Sequence, residues 1–208
     1  MNNGATDVMK RLSSGTTARG FEAVRLQLDA YLLENAEYSA QLAIYHHDEL
    51  VVDLVGGADL DAQSVTGVFS VSKGVAGIVI GMLVRRGDLD LDALVTRYWP
   101  EFEAAGKAAI TVRQLLSHQS GVVGANPSLE RAEVVHSEAG AIRLAASAPQ
   151  WHPGSMFGYH GITIGVFIEE LVRRLTSTTL QAFFESEIRK PRNIDFYLGF
   201  PASEERRF

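Results

Sequence analysis

Ser70-Val71-Ser72-Lys73 sets a hydroxyl and an amine three residues apart. On a helix those two positions share a face, so the side chains can touch. A serine is a weak nucleophile until a base takes its proton. A lysine can be that base if burial or a nearby positive charge lowers its pKa. Lys73 stands at the start of a very apolar stretch, Val71 to Val84, and the positive end of a helix dipole there would also favour an anion beside Ser70. With fifteen serines and four lysines in 208 residues, about 0.3 such spacings arise by chance, so the motif needs company.

Other candidates carry less by themselves. Tyr159 follows a Trp-His-Pro-Gly loop and could act as an acid or base if cations lower its pKa. A packed ring with a satisfied hydroxyl is the commoner use of such a tyrosine. His46-His47-Asp48-Glu49 could suggest a metal, but neighbouring side chains on a strand point oppositely, so the two histidines should not converge and a solvated turn is expected. His118 lies in Leu-Leu-Ser-His-Gln-Ser-Gly; it could be a base, and hydrogen bonding to loop backbone is the simpler reading. No Gly-x-Ser-x-Gly elbow, His-Glu-x-x-His pair or phosphate-binding glycine loop occurs.

The elements that must position these groups can be read from periodicity. Residues 1–19 are polar and read as a flexible leader. Phe21, Val24, Leu28, Tyr31 and Leu32 recur at helical spacing, so residues 20–35 read as an amphipathic helix. Ala40–Tyr45 and Leu50–Val55 read as a hairpin. Val71–Arg86 is apolar on nearly every face and reads as a buried helix with a basic last turn and a stop at Gly87. Asp88 to Asp92 reads as a turn whose carboxylates cap the next helix. Further helices are expected from Thr111 to Leu116, over 129–147, from Ile162 to Arg174 and from Leu180 to Arg189, with 191–208 irregular. Two strands make a marginal sheet, so the sheet reads as lacking members.

Composition narrows the classes. Hydrophobic residues are 46% and charged residues 21%, the net charge is −6 and no basic run occurs, which argues against nucleic acid as a partner. No cysteine is present, which excludes thiolate metal sites, disulfides and a cysteine nucleophile. No apolar run spans a bilayer and the first ten residues do not read as a signal peptide, so a cytoplasmic protein is expected.

Four stretches together resemble the serine β-lactamase and penicillin-binding protein superfamily, above all class C β-lactamases and β-lactamase-like (family VIII) esterases. They are Val68 to Gly74, Gly87 to Glu101, Ile110 to Gly121, and Trp151 to Tyr159. The resemblance runs from about Phe21 to Pro201 and implies an α+β, β-lactamase-like (DD-peptidase-like) fold that is incomplete. Residues 20–66 would be the helix and hairpin of its α/β lobe and 67–208 its mainly helical part, with the C-terminal strands absent. It also implies roles. Ser70 would be the acylated nucleophile, with its backbone N–H as half of an oxyanion hole. Lys73 would assist deprotonation. Tyr159 would be the partner base and would help activate the deacylating water. The loop from Leu116 to Gly121 would be structural.

Two departures matter. Class C lactamases have Tyr-x-Asn where this chain has Tyr159-His160-Gly161, so the amide that binds the antibiotic's side chain is missing and an ester substrate is expected. The family's third motif, of Lys-Thr-Gly or His/Trp-x-Gly type, lies far beyond the tyrosine, and no counterpart is found in the 49 residues that follow Tyr159. The expectation is a serine hydrolase acting through an acyl-enzyme: a carboxylesterase on small acyl esters in the complete protein, with low activity in this chain alone. A β-lactamase or D-amino-acid peptidase is the alternative within that chemistry, and a non-catalytic truncated binding or assembly module is the alternative outside it. A small-molecule ester or amide is the expected partner, with no metal or cofactor. Self-association through an unpaired sheet edge is also open.

Overall fold

The computed structural model describes residues 12–135 and 137–208. They form two compact units: residues up to 67 with 202–208, and residues 68–201.

In the first unit three antiparallel strands, β1 (Ser14–Thr17), β2 (Ala40–His46) and β3 (Glu49–Gly56), lie in the order β1-β3-β2. Helix α1 (Glu22–Glu34) packs on the sheet. Leu28 and Leu32, four residues apart, meet Val51, Val52 and Leu54, with Phe21, Val24, Leu42 and Ile44 around them. Tyr31, expected on that face, stays half exposed against Tyr38.

β1 corrects the reading of residues 1–19 as a leader, of which residues 1–11 lie outside the described residues. Its four residues pair with Val52 to Val55. The polar sequence Ser-Gly-Thr-Thr hides the strand because polar bonds hold it. Arg25 donates to the Ser13 and Gly15 carbonyls, and Asp29 accepts from the Ser13 N–H at 2.8 Å. Gly15 is required there: a Cβ would stand 2.0 Å from the Asp53 carbonyl oxygen. Residues 202–208, read from sequence as the end of the helical part, belong to this unit. The Val65 N–H donates to the Arg207 carbonyl and the Arg207 guanidinium to the Gln63 carbonyl, each at 2.7 Å.

The His46 to Glu49 turn is exposed, as expected, but its two histidines converge. His47 leaves the strand at φ +50, followed by Asp48 at +64, so strand alternation stops at His46. The two imidazoles come together at 4.1 Å. Among the described residues no group of three His, Cys, Asp or Glu side chains could hold a metal ion.

The second unit is built on α2 (Val71–Arg86). Ala76, Val79, Ile80 and Leu83 are buried, whereas Val71 (61% exposed), Gly74, Ile78 (56%) and Gly81 are not, so α2 is buried on one face and not all round. Gly87 ends it at φ +80, with the Gly87 and Asp88 N–H groups returning to the Leu83 and Val84 carbonyls. The acidic turn caps no α-helix. Asp90 accepts from the Asp92 N–H, Asp92 pairs with Arg113, and the chain enters one 3-10 turn, Val95–Arg97.

A second 3-10 stretch, Pro100–Gly106, precedes α3 (Val112–Leu116), α4 (Arg131–Val135) and α5 (Ser137–Ala146). Thr111 and Gln114 cap α3 reciprocally. Helix α6 (Thr163–Thr176) crosses the core, with Phe167 against Trp99 and Phe102. The expected helix from Leu180 to Arg189 begins as α7 (Leu180–Phe184) and widens into a π turn, Glu185–Arg189, before α8 (Lys190–Arg192). Pro191 has no N–H to give the Glu187 carbonyl, and the Arg192 guanidinium donates to it instead at 2.8 Å.

Lys107 is fully buried in this unit. Its ammonium donates to the Ala104 carbonyl at 2.5 Å and the Ser147 carbonyl at 2.6 Å, and burial pushes its pKa below lysine's usual range. It joins the end of the second 3-10 stretch to the end of α5. Lys107→Ala should lower the unfolding free energy by about 3 kcal/mol in urea denaturation, because two buried carbonyls lose their donor and a cavity opens.

Candidate active site

Ser70 begins α2, and its entry is tight. Phe69 holds φ +46, and the Val71, Ser72 and Lys73 N–H groups bond back three residues. A left-handed, non-glycine residue directly before Ser70 is a strained conformation of the kind that collects at functional sites. Ser70 has the N-cap position but its hydroxyl makes no capping bond. That oxygen is used elsewhere: the Lys73 ammonium donates to Ser70 Oγ at 3.0 Å, and Ser70 Oγ and Tyr159 Oη are 2.8 Å apart. Lys73 Nζ also stands 5.3 Å from the centre of the Tyr159 ring. The three residues singled out in the sequence therefore meet at one oxygen.

Tyr159 reaches Ser70 from 89 residues away on a loop that is zipped to another loop. The Gln150 N–H donates to the Gly121 carbonyl at 2.8 Å, Gly154 to Gln119 at 3.0 Å, and Gly158 to His118 at 3.1 Å. Glycines make the approach possible. Gly121 sits at φ +79, and a Cβ there would meet Pro149 and the Trp151 carbonyl oxygen within 2.9 Å; a Cβ on Gly158 would meet the Trp151 ring at 2.4 Å. Tyr159 itself is 55% exposed. Its phenol is held below tyrosine's ordinary range, first by the hydrogen bond with Ser70 and then by Lys73.

Beneath Tyr159 lies a group that sequence reasoning missed. His160 is fully buried; its Nδ1 meets the Gly158 carbonyl oxygen at 2.5 Å and its Nε2 meets Ser120 Oγ at 2.7 Å. His118 accepts the His160 backbone N–H on Nδ1 at 3.0 Å, as the backbone-bonding reading expected. The only signal for His160 was its place beside Tyr159; apolar periodicity says nothing of a buried imidazole in a loop.

Both imidazoles are held below histidine's ordinary pKa. For His118 burial comes first, then the charge of Lys73; for His160 burial comes first, against the Gly158 carbonyl, with His118 adding to it. A histidine with a lowered folded pKa contributes stability that is present above about pH 6.5 and lost as pH falls through the folded value. Glu169, raised by burial, acts in the opposite sense. His160→Gln should therefore lose less unfolding free energy than the wild type between pH 7 and pH 5, measured by urea denaturation at both.

Comparison with known proteins places this geometry. Residues 24–208 match the beta-lactamase family. The chain belongs to that family. Among curated relatives, the esterase/beta-lactamase LipL of Mycobacterium tuberculosis is 34% identical over 177 residues, covering 78% of this chain and 39% of LipL. Among solved structures, EstA from Arthrobacter nitroguajacolicus Rue61a is 51% identical with a TM-score of 0.89, covering 94% of this chain and 52% of EstA. A family VIII carboxylesterase is 35% identical with a TM-score of 0.87, covering 94% and 56%. The fold is thus α+β and β-lactamase-like, and the chain spans about half the length of these structures, less of LipL. Among the described residues no helix is long and apolar enough to cross a membrane.

Proposed function

We propose that the complete protein is a serine carboxylesterase that hydrolyses small acyl esters through an acyl-enzyme on Ser70. The observation that carries this is the shared position of Ser70 Oγ, 2.8 Å from Tyr159 Oη and 3.0 Å from Lys73 Nζ. The names of the relatives, esterases foremost, support the substrate class.

The chemistry follows from which partner can accept a proton. Lys73 Nζ, 3.0 Å from Ser70 Oγ, assists the deprotonation of that hydroxyl. Tyr159 is the acceptor: its phenolate, favoured by Ser70 and Lys73, takes the Ser70 proton as Oγ attacks the ester carbonyl. The tetrahedral intermediate collapses, the C–O bond to the alcohol breaks, and Tyr159 returns the proton to the leaving oxygen. Water then attacks the acyl-enzyme with Tyr159 again as base, releasing the acid and Ser70. Gly161 favours an ester over a lactam because no side chain stands there to grip a lactam's amide. The space itself is free: a Cβ would touch only Tyr159 ring carbons, at 3.5 and 3.6 Å.

With the complete protein, p-nitrophenyl butyrate should turn over faster than nitrocefin; the reverse order would favour the β-lactamase reading. Ser70→Ala should abolish turnover and Tyr159→Phe should lower it by about 10²–10⁴. The wild-type rate should rise with pH and level off below tyrosine's usual ~10, as Tyr159 ionises.

The 208 residues alone should acylate slowly, since the chain spans only 52–56% of the solved esterase structures. A fluorophosphonate followed by mass spectrometry should label Ser70 about 10²–10³ slower than a serine hydrolase whose oxyanion hole has both donors. Labelling at a full enzyme rate would remove this part of the proposal.

A further inference from the structure

We propose that His118 is a positioning residue for Tyr159 and that it works only while uncharged. The inference rests on the base role proposed for Tyr159.

The hydrogen bonds settle where the ring protons sit. The His160 backbone N–H points at His118 Nδ1, so that nitrogen is an acceptor and His118 carries its proton on Nε2. A carbonyl oxygen can only accept, so His160 carries its proton on Nδ1, facing Gly158, and its Nε2 accepts from the Ser120 hydroxyl. Ser120 Oγ accepts in turn from the Val122 N–H. With both rings uncharged they are in opposite tautomers, 5.3 Å apart.

His118 thereby grips both sides of Tyr159. Its carbonyl accepts the Gly158 N–H and its ring accepts the His160 N–H. Its ring also stands 5.2 Å from the Tyr159 ring and edge-on to Phe157. Among the described residues it has no hydrogen bond to Ser70 or Tyr159, so it acts through backbone and touches no reacting atom. A second proton would sit on Nδ1 and face the His160 N–H, donor against donor. It would also add a cation near Lys73, with Tyr159 and His160 the other titratable groups that face the ring. Charging His160 is milder, because the Ser120 hydroxyl can turn and accept. One proton on His118 therefore removes the bond that holds the residue after the catalytic phenol. Burial and Lys73 both hold that proton off at neutral pH.

His118 stands at φ +64, where asparagine and glycine are tolerated. Asparagine also places an amide oxygen near the Nδ1 position and cannot titrate. Two variants of the 208-residue chain, His118→Asn and His118→Gly, separate the acceptor from the charge. The first readout is the phenol titration of Tyr159 by NMR on ¹³C-tyrosine, which needs no turnover. The second is the rate of Ser70 labelling by a fluorophosphonate from pH 4.5 to 9. Wild type and His118→Asn should share a lowered Tyr159 titration, and His118→Gly should return it towards the ordinary range. Labelling at pH 8 should fall by about 10²-fold in His118→Gly, as a misplaced catalytic group does. On the acid side, wild-type labelling should steepen from one proton to two below about pH 6.5, whereas His118→Asn should keep a one-proton slope. If His118→Asn retains the two-proton slope, or its Tyr159 titrates as in His118→Gly, the inference fails while the esterase reading stands. A wild-type Tyr159 that titrates in the ordinary range would remove the base role and, with it, the inference.

Discussion

The site depends on one constraint: a phenol must be brought to a hydroxyl 89 residues away along the chain. Neither residue sits on an element that packs the other in place. Tyr159 lies on an irregular loop, and that loop is held by backbone bonds to a second irregular loop, from His118 to Gly121. Each bond is worth little net, of order 1 kcal/mol, but leaving its partners buried and unmet would cost more. The zipper therefore works as a register. Glycine at 121 and 158 lets the two loops touch, and the imidazoles of His118 and His160 fill the space between them with directed bonds in place of apolar contact.

This arrangement explains why the site was easier to read than its support. Ser70 and Lys73 declare themselves through a helical spacing that is local and geometric. Tyr159 could be named only through the company of the other three segments, since nothing in the sequence around it measures a distance to Ser70. His160 and Ser120 were invisible because a buried polar pair in a loop has no period. The same physics governs the fold. α1, β2, β3, α2 and α6 follow from apolar periodicity to within a few residues, since burial of a stripe is what makes them form. β1 was missed because Arg25 and Asp29, one turn apart on α1, hold it by side-chain bonds to its backbone. The approach of His46 to His47 was misjudged because the strand rule was carried one residue past the strand.

Ser70, Lys73, Tyr159, His118 and His160 all lie in residues 68–201. The second unit thus holds the Ser70 hydroxyl, the Lys73 amine, the Tyr159 phenol and the layer beneath it. Its core joins Leu83 and Val79 of α2 to Phe167 and Leu171 of α6 and to Leu144 of α5.

The uncovered face of α2 has a kinetic meaning. Gly74, Gly77 and Gly81 weaken a sixteen-residue helix by about 0.5–1 kcal/mol each relative to alanine, and space beside each is open. Such a helix has little reason to persist by itself. It survives because Ala76, Val79, Ile80 and Leu83 are locked into the core. Heat should therefore find no partly melted form in which Ser70 still meets its partners: loss of the reactive serine and collapse of the core are one cooperative event, and the lifetime of the chemistry is the lifetime of that packing.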